Sequence, residues 1–142
     1  MTKINMKRLL LGGLVAGVIL FILTGVVNAC FLKSEFEVWS QSMGLIIHPP
    51  EQSISMILWT LMSFIYGFVG VWIYVCIRPR FGGGAKTALL AGFILWFVSK
   101  LATSLDLIAL GIFSEKFIVG QVTGSFIAFL LAILCGSWMY RE

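Results

Sequence analysis

The chain has 142 residues, of which 60% are apolar and only 11% are charged, and its formal net charge is +4. Soluble domains have roughly 45–50% apolar and 25% charged residues, so this composition excludes a soluble globular protein. A mean hydropathy of +1.04 indicates an integral membrane protein. The length allows about four membrane-spanning helices with short connections, which leaves no room for a separate soluble domain.

Four apolar segments follow one another, each long enough for a transmembrane helix. We predict span 1 at residues 9–31, span 2 at 54–77, span 3 at 87–113 and span 4 at 118–140. The predicted fold is therefore an all-α, four-helix transmembrane bundle that forms one membrane domain.

The connections between the spans differ in length. Residues 32–52 are predicted to form a short amphipathic segment at the membrane interface, which Pro49 and Pro50 end before span 2. A tight turn is predicted at residues 78–86 and a four-residue turn at 114–117.

Lysine and arginine residues in short loops predict the orientation, because such loops remain in the cytoplasm. With both termini cytoplasmic, the outer side carries only Lys33 and Lys116. The cytoplasmic side then carries Lys3, Lys7, Arg8, Arg78, Arg80, Lys86 and Arg141. The positive charge is thus interpreted as a topology signal and not as a sign of nucleic acid binding.

Span 1 also has features of a secretory leader. The sequence Val27, Asn28, Ala29, Cys30 resembles a weak lipoprotein cleavage site. The apolar segment is longer than the roughly 7–15 residues of a signal-peptide core. We therefore interpret it as a retained span.

An internal repeat relates the two halves of the chain. Residues 13–24 read GLVAGVILFILT and residues 88–99 read ALLAGFILWFVS, while GVWIY at 70–74 matches GSWMY at 136–140. The repeat predicts two tandem helical hairpins of parallel type, related by a pseudo-twofold axis along the membrane normal. Chance similarity between apolar segments is the alternative.

Small residues recur along the spans and predict where helices approach each other closely, because packing of backbones holds helices together in lipid. One interpretation is that they close the four-helix bundle; the other is that the ridge on span 4 also docks another protomer or a larger complex. These residues are Gly13, Gly17, Gly67, Gly70, Gly120, Gly124, Ala128, Ala132 and Gly136.

Polar residues inside the spans are the candidates for a functional site. On span 3, Ser99, Thr103 and Asp106 share one helix face, with Lys100 at its margin. The repeat places Thr24 and Asn28 of span 1 at the positions of Ser99 and Thr103. We predict that the two polar patches face each other around an outward-facing polar cavity.

Simpler interpretations remain open for both charged residues. Asp106 fits simple exposure at the interface. Lys100 fits a lysine that extends toward the membrane surface, or one that is hydrogen-bonded within the chain, without binding a ligand. The repeat aligns Gly25 with Lys100, so we predict that Gly25 supplies the space into which the lysine projects.

The basic turn is predicted to contact anionic lipid head groups through Arg78, Arg80 and Lys86. Metal sites and cofactors are not expected. The chain has one histidine, and its three cysteines, Cys30, Cys76 and Cys135, lie on different spans without a ligand motif.

The run IRPRFGGGAKTA at residues 77–88, taken with the ending GSWMYRE at 136–142, resembles a group of small uncharacterised bacterial membrane proteins with four predicted spans. The resemblance implies a multi-pass protein of the bacterial inner membrane. It implies no activity and no functional residues.

Two functions remain open. In the first, the chain is a non-enzymatic accessory subunit or oligomeric packing module, which forms a homo-oligomer or joins a larger membrane complex. In the second, it is a small-solute transporter or lipophilic-ligand binder with a polar cavity around Lys100. The first is favoured because the interior has one lysine and no carboxylate near mid-membrane. Neither requires an enzyme.

Overall fold

The computed structural model of the protein describes residues 4–43, 52–111 and 113–140, and the regular structure in these ranges is helical throughout. Two π-helical segments of five residues, Asn28–Leu32 and Phe97–Leu101, join consecutive α-helices without a break, and we call them π-turns. The α-helices are α1 (Met6–Val27), α2 (Lys33–Met43), α3 (Gln52–Phe81), α4 (Ala85–Trp96), α5 (Ala102–Leu110) and α6 (Glu115–Trp138).

Four helical segments are long and apolar enough to cross a membrane, which confirms the class predicted from composition: a multi-pass, all-helical membrane protein. They are Met6–Cys30, Gln52–Phe81, Ala85–Leu110 and Glu115–Trp138. Some residues used in the sequence predictions lie outside the described ranges, namely Lys3, Pro49, Pro50, Arg141 and Glu142.

The turn between spans 2 and 3 is shorter than the predicted 78–86. Pro79 lies in the last turn of α3, where its missing N–H removes only one terminal hydrogen bond. The helix ends at Gly82, whose φ of 81° is left-handed. The Gly82 N–H donates to the Arg78 carbonyl over 2.9 Å, and the Thr87 hydroxyl donates to the Gly82 carbonyl over 2.8 Å. We call this end of the bundle the basic end, and the other the opposite end.

The four spans pack as a ring in chain order. Helix α1 packs against α3 and α6, and α4 packs against the same two helices, whereas α3 and α6 make a smaller contact across the middle. Spans 1 and 3 therefore lie at opposite corners. The largest fully buried side chains come from three spans and are Leu20, Val71, Phe129 and Ile133.

Close helix contacts occur at glycine. Gly67 lies against the backbone of Gly17, and a methyl group added at Gly136 would lie 2.6 Å from the carbonyl oxygen of Gly12. Gly70 lies against Ile133. Close backbone approach of this kind is how small residues bring membrane helices together.

The small-residue ridge of span 4 is occupied within the chain. Gly124 lies against Val27 of span 1, Ala128 and Ala132 are buried, and Gly136 meets Gly12. Span 1 covers Gly124 and Gly136, and Ala128 and Ala132 are buried within the chain, so these four positions are not exposed for another protomer. Gly120 is half-buried, and Gly13 lies against the ring of Phe68 in span 2.

Helix α2 continues span 1 at the opposite end. The sequence has no glycine or proline from Asn28 to Met43, so nothing in it ends the helix at the membrane surface. The Ser114 hydroxyl donates to Glu35 over 2.7 Å, and the rings of Trp39 and Phe113 are 4.9 Å apart. The predicted interfacial segment is thus, in its described part, a helix held against the turn between spans 3 and 4.

Candidate functional site

The π-turn of span 3 contains Lys100, the charged residue deepest within any of the four spans. A π-turn widens the helix by one residue and is frequent at functional sites. Here it separates α4, which packs against both α3 and α6, from α5, which packs on α6. The lysine therefore lies where span 3 loses its contact with span 2.

The amine of Lys100 extends across to span 2. Its Nζ lies 5.3 Å from the centroid of the Tyr66 ring, a distance at which a cation is attracted by the ring face. Tyr66 in turn packs on Phe129, with ring centroids 5.4 Å apart. The amine thus lies over an aromatic ring where spans 2, 3 and 4 meet.

No hydrogen bond or carboxylate partner of the Lys100 amine is found among residues 4–43, 52–111 and 113–140. Its backbone carbonyl accepts from the Ser104 hydroxyl over 2.8 Å. Asp106 on the same span is exposed and lies six positions further along, on a different side of the helix. The cation–π contact with the Tyr66 ring is the one charge interaction of the amine found in this part of the chain.

Between Lys100 and the opposite end of the bundle, spans 2 and 3 separate. Helix α3 packs along α4 but makes at most slight contact with the π-turn and α5. Residues 52–62 of α3, three full turns, include no buried residue. Lys100 therefore lies at the inner end of a lateral groove between α3 and α5, which we call the lysine groove.

The structure does not bring the two predicted polar patches into contact. Spans 1 and 3 lie at opposite corners, and the segments that carry Thr24 and Asn28 do not pack against those that carry Ser99 and Thr103. The hydroxyls are also taken up locally, because an apolar medium favours bonds to the helix's own carbonyls. Thr24 donates to Leu20 over 2.6 Å, Ser99 to Leu95 over 2.6 Å, and Thr103 to Ser99 over 2.7 Å.

The predicted role of Gly25 is wrong as well. Gly25 is exposed, and a methyl group added there would meet no atom within 4 Å. Lys100 extends toward Tyr66 of span 2 and not toward span 1. The alignment of the two residues in sequence did not bring them together, because the ring order places another span between them.

Two aromatic residues of this region, Tyr66 and Trp96, escaped the sequence predictions. Tyr66 was not selected, although a tyrosine in the middle of an apolar span is a usable signal. The buried Trp96 Nε1 donates to the Ser125 hydroxyl over 3.1 Å. One turn from Ser125 toward the opposite end, the buried Gln121 Oε1 has no partner among the described residues. The π-turn itself has no sequence signal comparable to a glycine or a proline.

A second feature lies at the basic end. A cleft of about 560 Å³, which we call the basic cleft, opens between the ends of α3 and α6 and the start of α4. It is lined by Arg78, Gly83, Gly84 and Ser137, among others, and the Arg78 guanidinium lies 5.8 Å from the Tyr140 ring centroid. The other two residues predicted to contact lipid, Arg80 and Lys86, are exposed beside it.

The described residues contain no group of three histidine, cysteine or acidic side chains that could hold a metal ion. Comparisons of the chain with protein-family models, with curated proteins and with solved structures find no match. The lysine groove and the basic cleft are therefore the two candidate sites of this chain.

Proposed function

We propose that the protein is a non-enzymatic accessory subunit of a larger membrane complex. The observation that carries the proposal is the lysine groove, in which a lysine amine without a carboxylate partner in the described chain lies between two separated spans. A charged group inside a membrane is expensive unless it is paired or solvated. An additional chain in the groove would complete both the packing and the charge balance.

The packed core of the bundle supports an accessory subunit over a transporter. Its interior is filled by side chains such as Leu20, Val71, Phe129 and Ile133, each at most 1% exposed. In the described chain the hydroxyls within the spans bond largely to carbonyls of their own helices. A solute that crossed the membrane through this bundle would have to break the packed core.

The same proposal places the chain in the bacterial inner membrane, with both termini in the cytoplasm. The support is the sequence resemblance together with the concentration of basic residues at one end of the bundle. The basic cleft would then face the inner leaflet, where Arg78, Arg80 and Lys86 would contact anionic head groups.

The two hairpins are proposed to be a duplicated unit. Burial supports this, since Ala16 and its repeat counterpart Ala91 are both 0% exposed. Contacts follow the same relation: Gly17 lies against Phe64, and its counterpart Gly92 lies against Leu130. Phe64 and Leu130 are also repeat counterparts, because the alignment of residue 70 with residue 136 pairs residue 64 with residue 130.

A lipophilic-ligand binder is the second candidate function. The Lys100 amine over the Tyr66 ring would suit an amphiphilic anion inserted from the bilayer. This candidate requires no second protein chain, and its occupant would be a small molecule.

The test is the composition of the native particle. The protein would be extracted from its own membrane in a mild detergent, and its mass would be measured by light scattering and native mass spectrometry. We expect a particle that contains at least one other polypeptide in fixed stoichiometry. A particle consisting of one chain and lipid alone would reject the accessory-subunit proposal.

A further inference from the structure

We propose that the lysine groove binds a transmembrane helix of a partner through a carboxylate that pairs with Lys100. This inference rests on the proposed function and specifies the chemistry of the partner. Its basis is the position of the amine, the shape of the groove and the depth of both in the membrane.

The depth of Lys100 places its partner group inside the hydrocarbon layer. Span 3 has 26 residues, about 39 Å at 1.5 Å per residue. Lys100 precedes the last residue of α5, Leu110, by ten positions, or ~15 Å. For a helix along the membrane normal, the lysine lies ~5 Å from the middle of a hydrocarbon layer about 30 Å thick.

The side chain extends away from the nearer membrane surface. In a helix the Cα–Cβ bond tilts toward the N-terminus, which for Lys100 is the α4 end. Its amine lies over Tyr66, close to the middle of the 30-residue helix α3. A lysine that reached for lipid head groups would extend the other way, so a head group is a poor partner for this amine.

The walls of the groove fit a helix. Residues 52–62 of α3 extend ~16 Å along the axis without a buried residue. Exposed apolar side chains in this region include Trp59 of α3, at 57%, and Leu105 of α5, at 60%. An unburied stretch of three turns on α3, with one amine at its inner end, matches an apolar helix that carries one acidic side chain near mid-membrane.

The closing experiment uses two designed peptides as probes. Both are leucine–alanine transmembrane helices, one with a glutamate at its midpoint and the other with a glutamine. Binding to the full-length protein in phosphatidylcholine vesicles is measured by energy transfer. We expect the glutamate peptide to bind at least about tenfold more tightly than the glutamine peptide. Equal binding of the two peptides would overturn the proposal.

Variants locate the interaction. Lys100→Gln should remove the preference for glutamate, whereas Lys116→Gln, at the exposed start of α6, should leave it unchanged. Lys100→Glu should reverse the preference toward a peptide with a midpoint lysine. A preference that survives Lys100→Gln would place the carboxylate elsewhere and overturn the assignment.

A lipid occupant is distinguished in the same vesicles. If oleate displaced the glutamate peptide, and native mass spectrometry found oleate on the wild type but not on Lys100→Gln, the occupant would be an amphiphilic anion and the helix proposal would fail. The native particle is a separate readout: a second polypeptide there, with no glutamate preference in the peptide assay, would retain the accessory-subunit function and reject only the carboxylate pairing.

Discussion

The two halves of the bundle are built differently. In the basic half, α1, α3, α4 and α6 enclose a core in which Ala88, Ala91 and Ala132 are fully buried. In the opposite half, residues 52–62 of span 2 include no buried residue, and beyond Trp96 span 3 buries only Ser104 within the described residues. All four helices thus pack together at the basic end, the closed half, whereas at the opposite end, the open half, spans 1 and 4 remain packed, around Leu32, Phe117 and Ile118, and spans 2 and 3 separate.

The difference follows the distribution of small and polar residues. Glycine and alanine occupy the crossings in the basic half, where backbones must approach closely. In the opposite half, bulky residues such as Trp59 face outward, and beyond the π-turn span 3 packs on span 4 but no longer on span 2. Most of the buried core therefore lies in the closed half, and the open half exposes apolar side chains.

The largest effect is expected from breaking the closed half. Gly136→Leu should destabilise the protein by about 3 kcal/mol or more, because the added side chain meets the rigid Gly12 backbone. Gly25→Leu is the matched control in span 1 and should have little effect, since open space surrounds Gly25. Thermal unfolding in detergent measures both. Equal losses would show that the two halves are packed alike.

A smaller effect of opposite sign is expected at the open half. Lys100→Met should stabilise the isolated protein by about 1–3 kcal/mol, because it removes an amine that lacks a carboxylate partner in the described chain. The same variant should weaken the native complex. Lys116→Met serves as the control, since Lys116 is exposed. A clear loss of stability in Lys100→Met would mean that the lysine is already compensated within the chain.

The smallest effect is expected at the boundary between the halves. Ser125→Ala leaves the buried Trp96 Nε1 without its acceptor and should cost about 1–2 kcal/mol. Ser99→Ala, whose hydroxyl bonds to its own helix, should cost less than about 0.5 kcal/mol. Chemical unfolding followed by tryptophan fluorescence separates the two. Similar values for both would remove any special role for the Trp96 hydrogen bond.

Much of the architecture could be predicted from the sequence, but less of the candidate site. Lys100 was selected because a lysine in an apolar segment can be recognised from the sequence alone. Its neighbour Tyr66 was missed, and Thr24, Asn28 and Gly25 were placed beside it wrongly. These errors share one cause: the repeat relates residues by symmetry, and symmetry-related residues need not touch when their helices occupy opposite corners.

The sequence by itself determined the membrane class, the number of spans and the positions of their charges, because hydropathy adds up residue by residue along a helix that must satisfy its own backbone. Only the tertiary structure decided which small faces meet, that span 1 covers the ridge of span 4, and where the Lys100 amine lies. Those outcomes depend on how the shapes of neighbouring helices fit together: before the π-turn span 3 packs on spans 2 and 4, and beyond it on span 4.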